Sequence, residues 1–206
     1  PNSAAVGAVR EVAEEADRCL FLAGPAGSGK THLLNAACLA TRDAGRAAFY
    51  LGARALGDAN ADPLRGLEKM DLVCIDDGHL LAGHARQEEA LFHFINRLRA
   101  ERGSLLFASR DRLWRLPFGL PDLASRLAWG LRLELQPLED DDKRQVLDHH
   151  AESLGVALSA EVMDYLLSHG ARDMATLLGT VTRLQQAAFR EKRRITVPLA
   201  RKLMQG

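Results

Sequence analysis

The chain lacks an excess of charge of either sign: 27 lysines and arginines face 27 aspartates and glutamates. A protein built to coat nucleic acid or an acidic membrane carries a basic excess, and the composition gives no such sign. Cysteine is scarce. Cys19, Cys38 and Cys74 each lie in an apolar run, without a pairing pattern or metal spacing. That excludes a disulfide scaffold and a cysteine zinc module, and it reads as buried, reduced thiols of a cytoplasmic protein. No apolar run reaches the roughly 20 residues a membrane helix needs. No signal peptide, internal repeat or low-complexity segment is visible. What remains is 206 residues, 47% apolar and 26% charged. Such a make-up suits a soluble α/β domain with a small appendage. The first residue is Pro1 rather than Met, so an upstream segment is expected.

What is present is a glycine-rich loop in a telling place. Gly24-Pro25-Ala26-Gly27-Ser28-Gly29-Lys30-Thr31 fits G-x-x-x-x-G-K-[ST], with His32 following. An apolar run, residues 19–23, precedes it as a strand, and residues 32–40 follow as a helix. Strand, loop and helix together turn the pattern into a phosphate cradle. Backbone N–H groups converge on phosphate oxygens, and the helix N-terminus adds the positive end of its dipole. Lys30 is expected to reach the β- and γ-phosphates and the Thr31 hydroxyl to ligate Mg²⁺. The expected ligand is a purine nucleotide.

Helix and strand alternate along the first two thirds of the chain. Helices are expected at 4–16, 86–102 and 122–128, and strands at 19–23, 47–51, 71–76, 104–108 and 130–135. Five strands separated by helical segments imply an α/β fold, a parallel sheet covered on both faces. After Pro137 the strand pattern ends. An acidic run, Glu139-Asp140-Asp141-Asp142, opens a helix where its dipole favours negative charge. Further helices are expected at 160–169, capped by Ser159, at 173–192, and at 197–205, started by Thr196 with Pro198 just inside. The boundaries read as 1–137 for the nucleotide-binding domain and 138–206 for an all-helical lid.

Other chemistry sits at strand ends. Asp76-Asp77 close an apolar strand, where Asp76 is expected to hold Mg²⁺ and Asp77 to orient the attacking water. Ser109 and Asp111, after the fourth strand, are both candidates to sense the γ-phosphate. Arg126, on a short helix before the last strand, is either a surface ion-pair partner or an arginine projecting into a neighbour's nucleotide site, where it would stabilise transition-state charge. His79, His84 and the adjacent His149-His150 lack metal-ligand spacing. Arg190, Lys192, Arg193 and Arg194 form a basic cluster that reads first as a solvated helix end and second as a nucleic-acid contact.

These residues resemble the AAA+ ATPase module of the DnaA family of replication initiators. The resemblance rests on Arg10-Glu11-Val12-Ala13-Glu14, the loop with His32-Leu33-Leu34, Ile75-Asp76-Asp77 and Ser125-Arg126-Leu127-Ala128-Trp129-Gly130. Within that family, Gly119-Leu120-Pro121-Asp122-Leu123-Ala124-Ser125-Arg126 and Leu135-Gln136-Pro137-Leu138 look most like the Hda branch of DnaA-related regulators. The short link at 52–70 and an end soon after the lid, with no helix-turn-helix domain, separate it from an initiator. The resemblance implies a regulator bound to ADP or ATP with Mg²⁺. Attached to the DNA-loaded sliding clamp, it makes DnaA hydrolyse its ATP, with Arg126 as the trans-acting finger. It implies DnaA and the clamp as partners, the clamp through an upstream motif absent from this sequence. Self-association is left open, and neither a membrane nor sequence-specific DNA is expected as a partner. A helicase loader of the same superfamily and an AAA+ fragment of the initiator are the alternatives. The position matching the second nucleotide-sensing arginine of such lids is Ala175, with Arg172 nearly one turn earlier. Little turnover of its own is therefore expected.

Overall fold

Short apolar runs build a five-stranded sheet whose three inner strands are buried on both faces, while the edge strand at 131–134 is largely exposed. The computed structural model describes residues 2–56, 63–171 and 174–205. In chain order the first unit comprises α1 (Ser3–Glu14), β1 (Cys19–Ala23), α2 (Lys30–Asp43), β2 (Ala48–Gly52), β3 (Leu72–Asp76), α3 (Ala85–Ala100), β4 (Ser104–Ser109), α4 (Pro121–Ala128) and β5 (Leu131–Glu134). The strands pair in parallel, in the order β2-β3-β4-β1-β5. The loop-bearing strand β1 thus lies between β4 and β5, and the carboxyl ends of β1, β3 and β4 gather on one edge. Ligands of open α/β sheets bind outside such carboxyl ends.

Side-chain alternation divides the core. Leu20, Leu22, Cys74, Leu106 and Ala108 face α1 and α2, where Val9, Val12, Leu34, Ala37 and Cys38 meet them. Phe21, Val73, Ile75, Leu105 and Phe107 face the other way, onto Leu91, Phe94, Ile95 and Leu98 of α3 and Leu123 and Leu127 of α4. The rings of Phe21 and Phe107 stack at 5.6 Å between centroids. Each buried Leu or Phe contributes about 2 kcal/mol relative to exposure.

Element ends differ from expectation by one or two residues for local reasons. α3 stops at Ala100 because Arg102 takes φ 60° and Gly103 N–H turns back to the Leu98 carbonyl. β2 begins at Ala48 because the Ala47 N–H is taken by the Asp71 carboxylate, at 2.7 Å. Cys38 and Cys74 are buried, but Cys19, first in its strand, is only half-buried, which corrects the reading of three buried thiols. Desolvation still pushes the Cys19 thiol up to about 11.

A buried carboxylate ties α3 to the segment that leads into α4. Glu88 is 1% exposed and accepts the N–H groups of Gly83 at 2.7 Å and Leu120 at 2.8 Å. Alanine at Glu88 removes the charged acceptor of two part-buried N–H groups, and it is expected to cost about 3 kcal/mol in urea unfolding. Glu88→Gln keeps one of the two acceptor oxygens and sets an amide NH2 against the other N–H, so it should lose at least half of that. A loss below about 0.5 kcal/mol in either variant would show that these hydrogen bonds do not secure the join.

Residues Pro137–Gly206 form a second compact unit. It holds α5 (Asp140–Ser153), α6 (Ala160–His169), α7 (Met174–Glu191) and α8 (Val197–Gln205). Glu139 and Asp142 make a reciprocal capping box at the start of α5. Ser159 Oγ accepts the Val162 N–H at the start of α6. Leu147, Val162, Leu166, Leu177, Val181, Leu184 and Leu199 fill the space between these helices. Among the described residues no helix is long and apolar enough to cross a membrane.

Candidate nucleotide site

The loop after β1 is shaped by its own backbone. Gly29 caps α2 with φ 94°, a left-handed conformation that a Cβ would strain. Gly24 N–H donates to the Ser109 carbonyl at 3.2 Å, which fastens the loop to the end of β4. Pro25, Ala26 and His32 are exposed, Gly27 is half-buried, and Ser28 is buried. The Ser28 hydroxyl is enclosed without a hydrogen-bond partner among the described residues. A buried orphan hydroxyl in this loop fits a cradle that receives oxygen acceptors.

Lys30 opens α2 and is buried. Its ammonium donates to the carbonyls of Gly24 at 2.7 Å and Pro25 at 2.8 Å. Burial draws the Lys30 pKa down from its ordinary range, partly opposed by Asp76 and Asp77. The next residue, Thr31, donates its hydroxyl to Asp76 Oδ2 at 2.5 Å. Strand adjacency brings in a third group that pattern reading misses. Tyr50 lies on β2, beside β3, and its hydroxyl donates to the same Oδ2 at 2.9 Å. Desolvation first, then Asp76, pushes the Tyr50 phenol well above its usual range. The other carboxylate oxygen, Oδ1, accepts the Asp77 N–H at 2.8 Å.

Asp77 itself sits half-buried at φ 54°, a conformation that aspartate tolerates better than most residues. Its carboxylate has no hydrogen bond or ion pair among the described residues. Ser109 and Asp111 separate clearly. Ser109 is fully buried, with its hydroxyl accepting the Asp111 N–H at 3.2 Å, whereas Asp111 is exposed.

The Thr31 hydroxyl and the Asp76 carboxylate are hard oxygen donors at one point beside a buried ammonium, which fits Mg²⁺ held with phosphate oxygens and water. Among the described residues no cluster of three His, Cys, Asp or Glu side chains exists to hold a metal by itself. His79 Nδ1 instead lies 3.4 Å from the Arg110 N–H, and His150 Nε2 lies 3.1 Å from Thr182 Oγ1.

Arg126 stands apart from this cluster, on α4. It makes no hydrogen bond or ion pair among the described residues, and its guanidinium lies 5.8 Å from the Phe92 ring centroid. The surface ion-pair alternative is thus not found among those residues. Beside it, Arg99 stacks on the Trp129 ring. Gly130 packs on the carbonyl of Cys19 so closely that any Cβ would collide, which explains the glycine after Trp129. Arg172 lies outside the described residues, as does the side chain of Ala175.

A five-stranded parallel sheet, a glycine loop after β1 and an acidic pair at the end of β3 define a P-loop ATPase module of the AAA+ type. Residues 1–134 match the family model described as the bacterial DnaA ATPase domain, and residues 140–204 match one described as the Hda lid domain. The chain belongs to the DnaA family of AAA+ ATPase domains and is related to Hda. Domain III of the Thermotoga maritima replication initiation protein DnaA superposes with a TM-score of 0.80 at 24% identity, over 99% of this chain and 91% of that one. AMPPCP-bound DnaA from Aquifex aeolicus gives 0.73 at 25% identity, over 92% of this chain. This chain spans 63% of that structure. The Thermotoga maritima RuvB Holliday junction branch migration motor gives 0.69 at 20% identity, over 98% and 68% of the two chains, a likeness of fold alone.

Proposed function

We propose that this chain is a nucleotide-bound regulator of replication initiation that, together with the sliding clamp, makes DnaA hydrolyse its ATP. The observation that carries the reading is Arg126: a cation on a short surface helix, without an internal ion pair among the described residues, in a DnaA-family module whose lid matches Hda. Arg126 enters the DnaA site in trans and neutralises charge spreading over the γ-phosphate oxygens, the role of an arginine finger. The chain's own loop carries ADP or ATP, and AMPPCP in the Aquifex aeolicus relative supports an adenine nucleotide. Lys30 holds the phosphates, Thr31 and Asp76 hold Mg²⁺, and Asp77 faces the site of the attacking water. Mg²⁺, when bound, neutralises phosphate charge. One of Ser109 and Asp111 senses the γ-phosphate, and the exposed carboxylate of Asp111 is the freer of the two.

The test is hydrolysis of labelled ATP preloaded on DnaA. The natural full-length protein with ADP and clamp-loaded DNA should accelerate it, and omission of clamp or ADP should remove the acceleration. No acceleration with verified clamp loading would overturn the reading.

Tyr50 gives a second prediction. Its hydroxyl fixes Asp76 Oδ2, so Tyr50→Phe should weaken ADP binding in Mg²⁺ by roughly two- to tenfold, the worth of one hydrogen bond. Affinity measured calorimetrically in EDTA should be unchanged. An equal loss in both conditions would assign Tyr50 to the loop rather than to the metal.

A further inference from the structure

Positive charge, balanced over the chain as a whole, gathers at one corner of the lid. The end of α7 reads Phe189-Arg190-Glu191-Lys192-Arg193-Arg194, and its one carboxylate is engaged by Arg193. The backbone folds this run back on the helix. Lys192 takes φ 48°, its N–H donates to the Phe189 carbonyl at 3.3 Å, and Arg193 N–H donates to the Ala188 carbonyl at 3.0 Å. Such a reversal closes a helix C-terminus and fixes the direction of the residues after it. Arg193 and Arg194 consequently border a groove of about 450 Å³ floored by Val156, Leu158, Ala188 and Ile195. Ser159, the cap of α6, lies on the same rim and brings the positive end of that helix. Beside the run, Phe189 is 82% exposed, more than the other large apolar side chains exposed among the described residues.

A solvated helix end accounts for one or two cations in the last turn. Here four exposed cations fall within the five positions 190–194, two of them on the rim of the groove, beside an exposed phenylalanine. Cations that track a backbone, next to an aromatic face, are the makings of a surface for single strands. The ring stands beside the cations and does not line the groove, which favours a base stacked on it over a peptide anchor seated in the aliphatic floor. We propose that this corner of the lid binds the phosphodiester backbone of nucleic acid without reading sequence. Arg190, Lys192, Arg193 and Arg194 meet phosphates, and Phe189 takes an unpaired base.

The experiment is fluorescence anisotropy with a fluorescein-labelled thymidine strand of about 20 nucleotides and a mixed-sequence duplex of about 20 base pairs. Binding is expected to weaken steeply as salt rises from roughly 50 to 200 mM, with Kd near 10⁻⁴–10⁻⁶ M at physiological salt. Alanine at all four cations should lower the salt slope by about one for each phosphate left without a cation. Phe189→Ala should weaken the single strand by roughly tenfold and leave the duplex unaltered. These side chains are exposed, so thermal melting should stay close to wild type. If the fourfold variant fails to fold, Phe189→Ala and Arg194→Glu carry the same test singly. The proposal is overturned if neither probe binds, if the variants keep wild-type affinity and slope, or if only a glutamate- and leucine-rich peptide used as a control binds.

Discussion

Arg126→Ala is expected to reduce stimulated hydrolysis of DnaA-bound ATP by roughly 10³–10⁵-fold, the range by which an arginine finger accelerates phosphoryl transfer. The protein itself should barely register the change. The guanidinium has no ion pair to lose among the described residues, and its contact with Phe92 at 5.8 Å, between two half-buried side chains, is worth about 1 kcal/mol. Folding and ADP binding should therefore remain near wild type while the partner's hydrolysis collapses. Arg126→Lys separates charge from shape. Lysine keeps the cation but not the planar fork that spans two phosphate oxygens, so most of the loss should persist. Single-turnover hydrolysis, read beside a melting curve, checks all of this. An Arg126→Ala protein that unfolds, or that stimulates normally, would rule out the finger.

Lys30→Ala should fail in the opposite way. The ammonium is buried at the mouth of the loop and touches two loop carbonyls. Removing it takes away the charge that meets the phosphates, and each hydrogen bond to a charged group is worth about 1.5–3 kcal/mol. ADP affinity is expected to fall by roughly 10- to 150-fold in calorimetry. Stimulation of DnaA should fall with nucleotide occupancy and return at saturating ADP, because Arg126 is intact. That rescue distinguishes the two variants, since no concentration of nucleotide restores Arg126→Ala. Persistent failure of Lys30→Ala at saturation would mean that the lysine does more than hold the ligand.

The contrast between these residues also shows what a one-dimensional reading reaches. The glycine loop, Lys30 and Thr31 are contiguous, so strand, loop and helix declare themselves together. Asp76 stands out as the end of an apolar strand, and its contact with Thr31 follows once that strand lies in the same sheet. Tyr50 is different. Its hydroxyl reaches Asp76 only because β2 pairs with β3, and nothing local to Ala48–Gly52 marks it. Glu88 is hidden for the same reason, as an acidic residue in an amphipathic helix whose partners lie five and 32 positions away. Ser109 and Asp111 are indistinguishable along the chain, two polar residues on either side of Arg110. The end of β4 buries one and exposes the other. The basic run after Phe189 reads as a solvated helix end because the left-handed turn at Lys192, after which Arg193 and Arg194 border the groove, leaves no compositional trace.

Whose nucleotide is consumed separates a regulator from a motor. The decisive measurement loads distinguishable labels on the two proteins, one ATP on DnaA and another on this chain, and follows both in a single mixture with clamp-loaded DNA. The expected result is rapid loss of the γ-phosphate from the DnaA label, dependent on Arg126, while the label on this chain turns over slowly. Rapid hydrolysis of the chain's own label, with the DnaA label unchanged, would contradict the regulatory role and make the protein an ATPase acting on its own behalf.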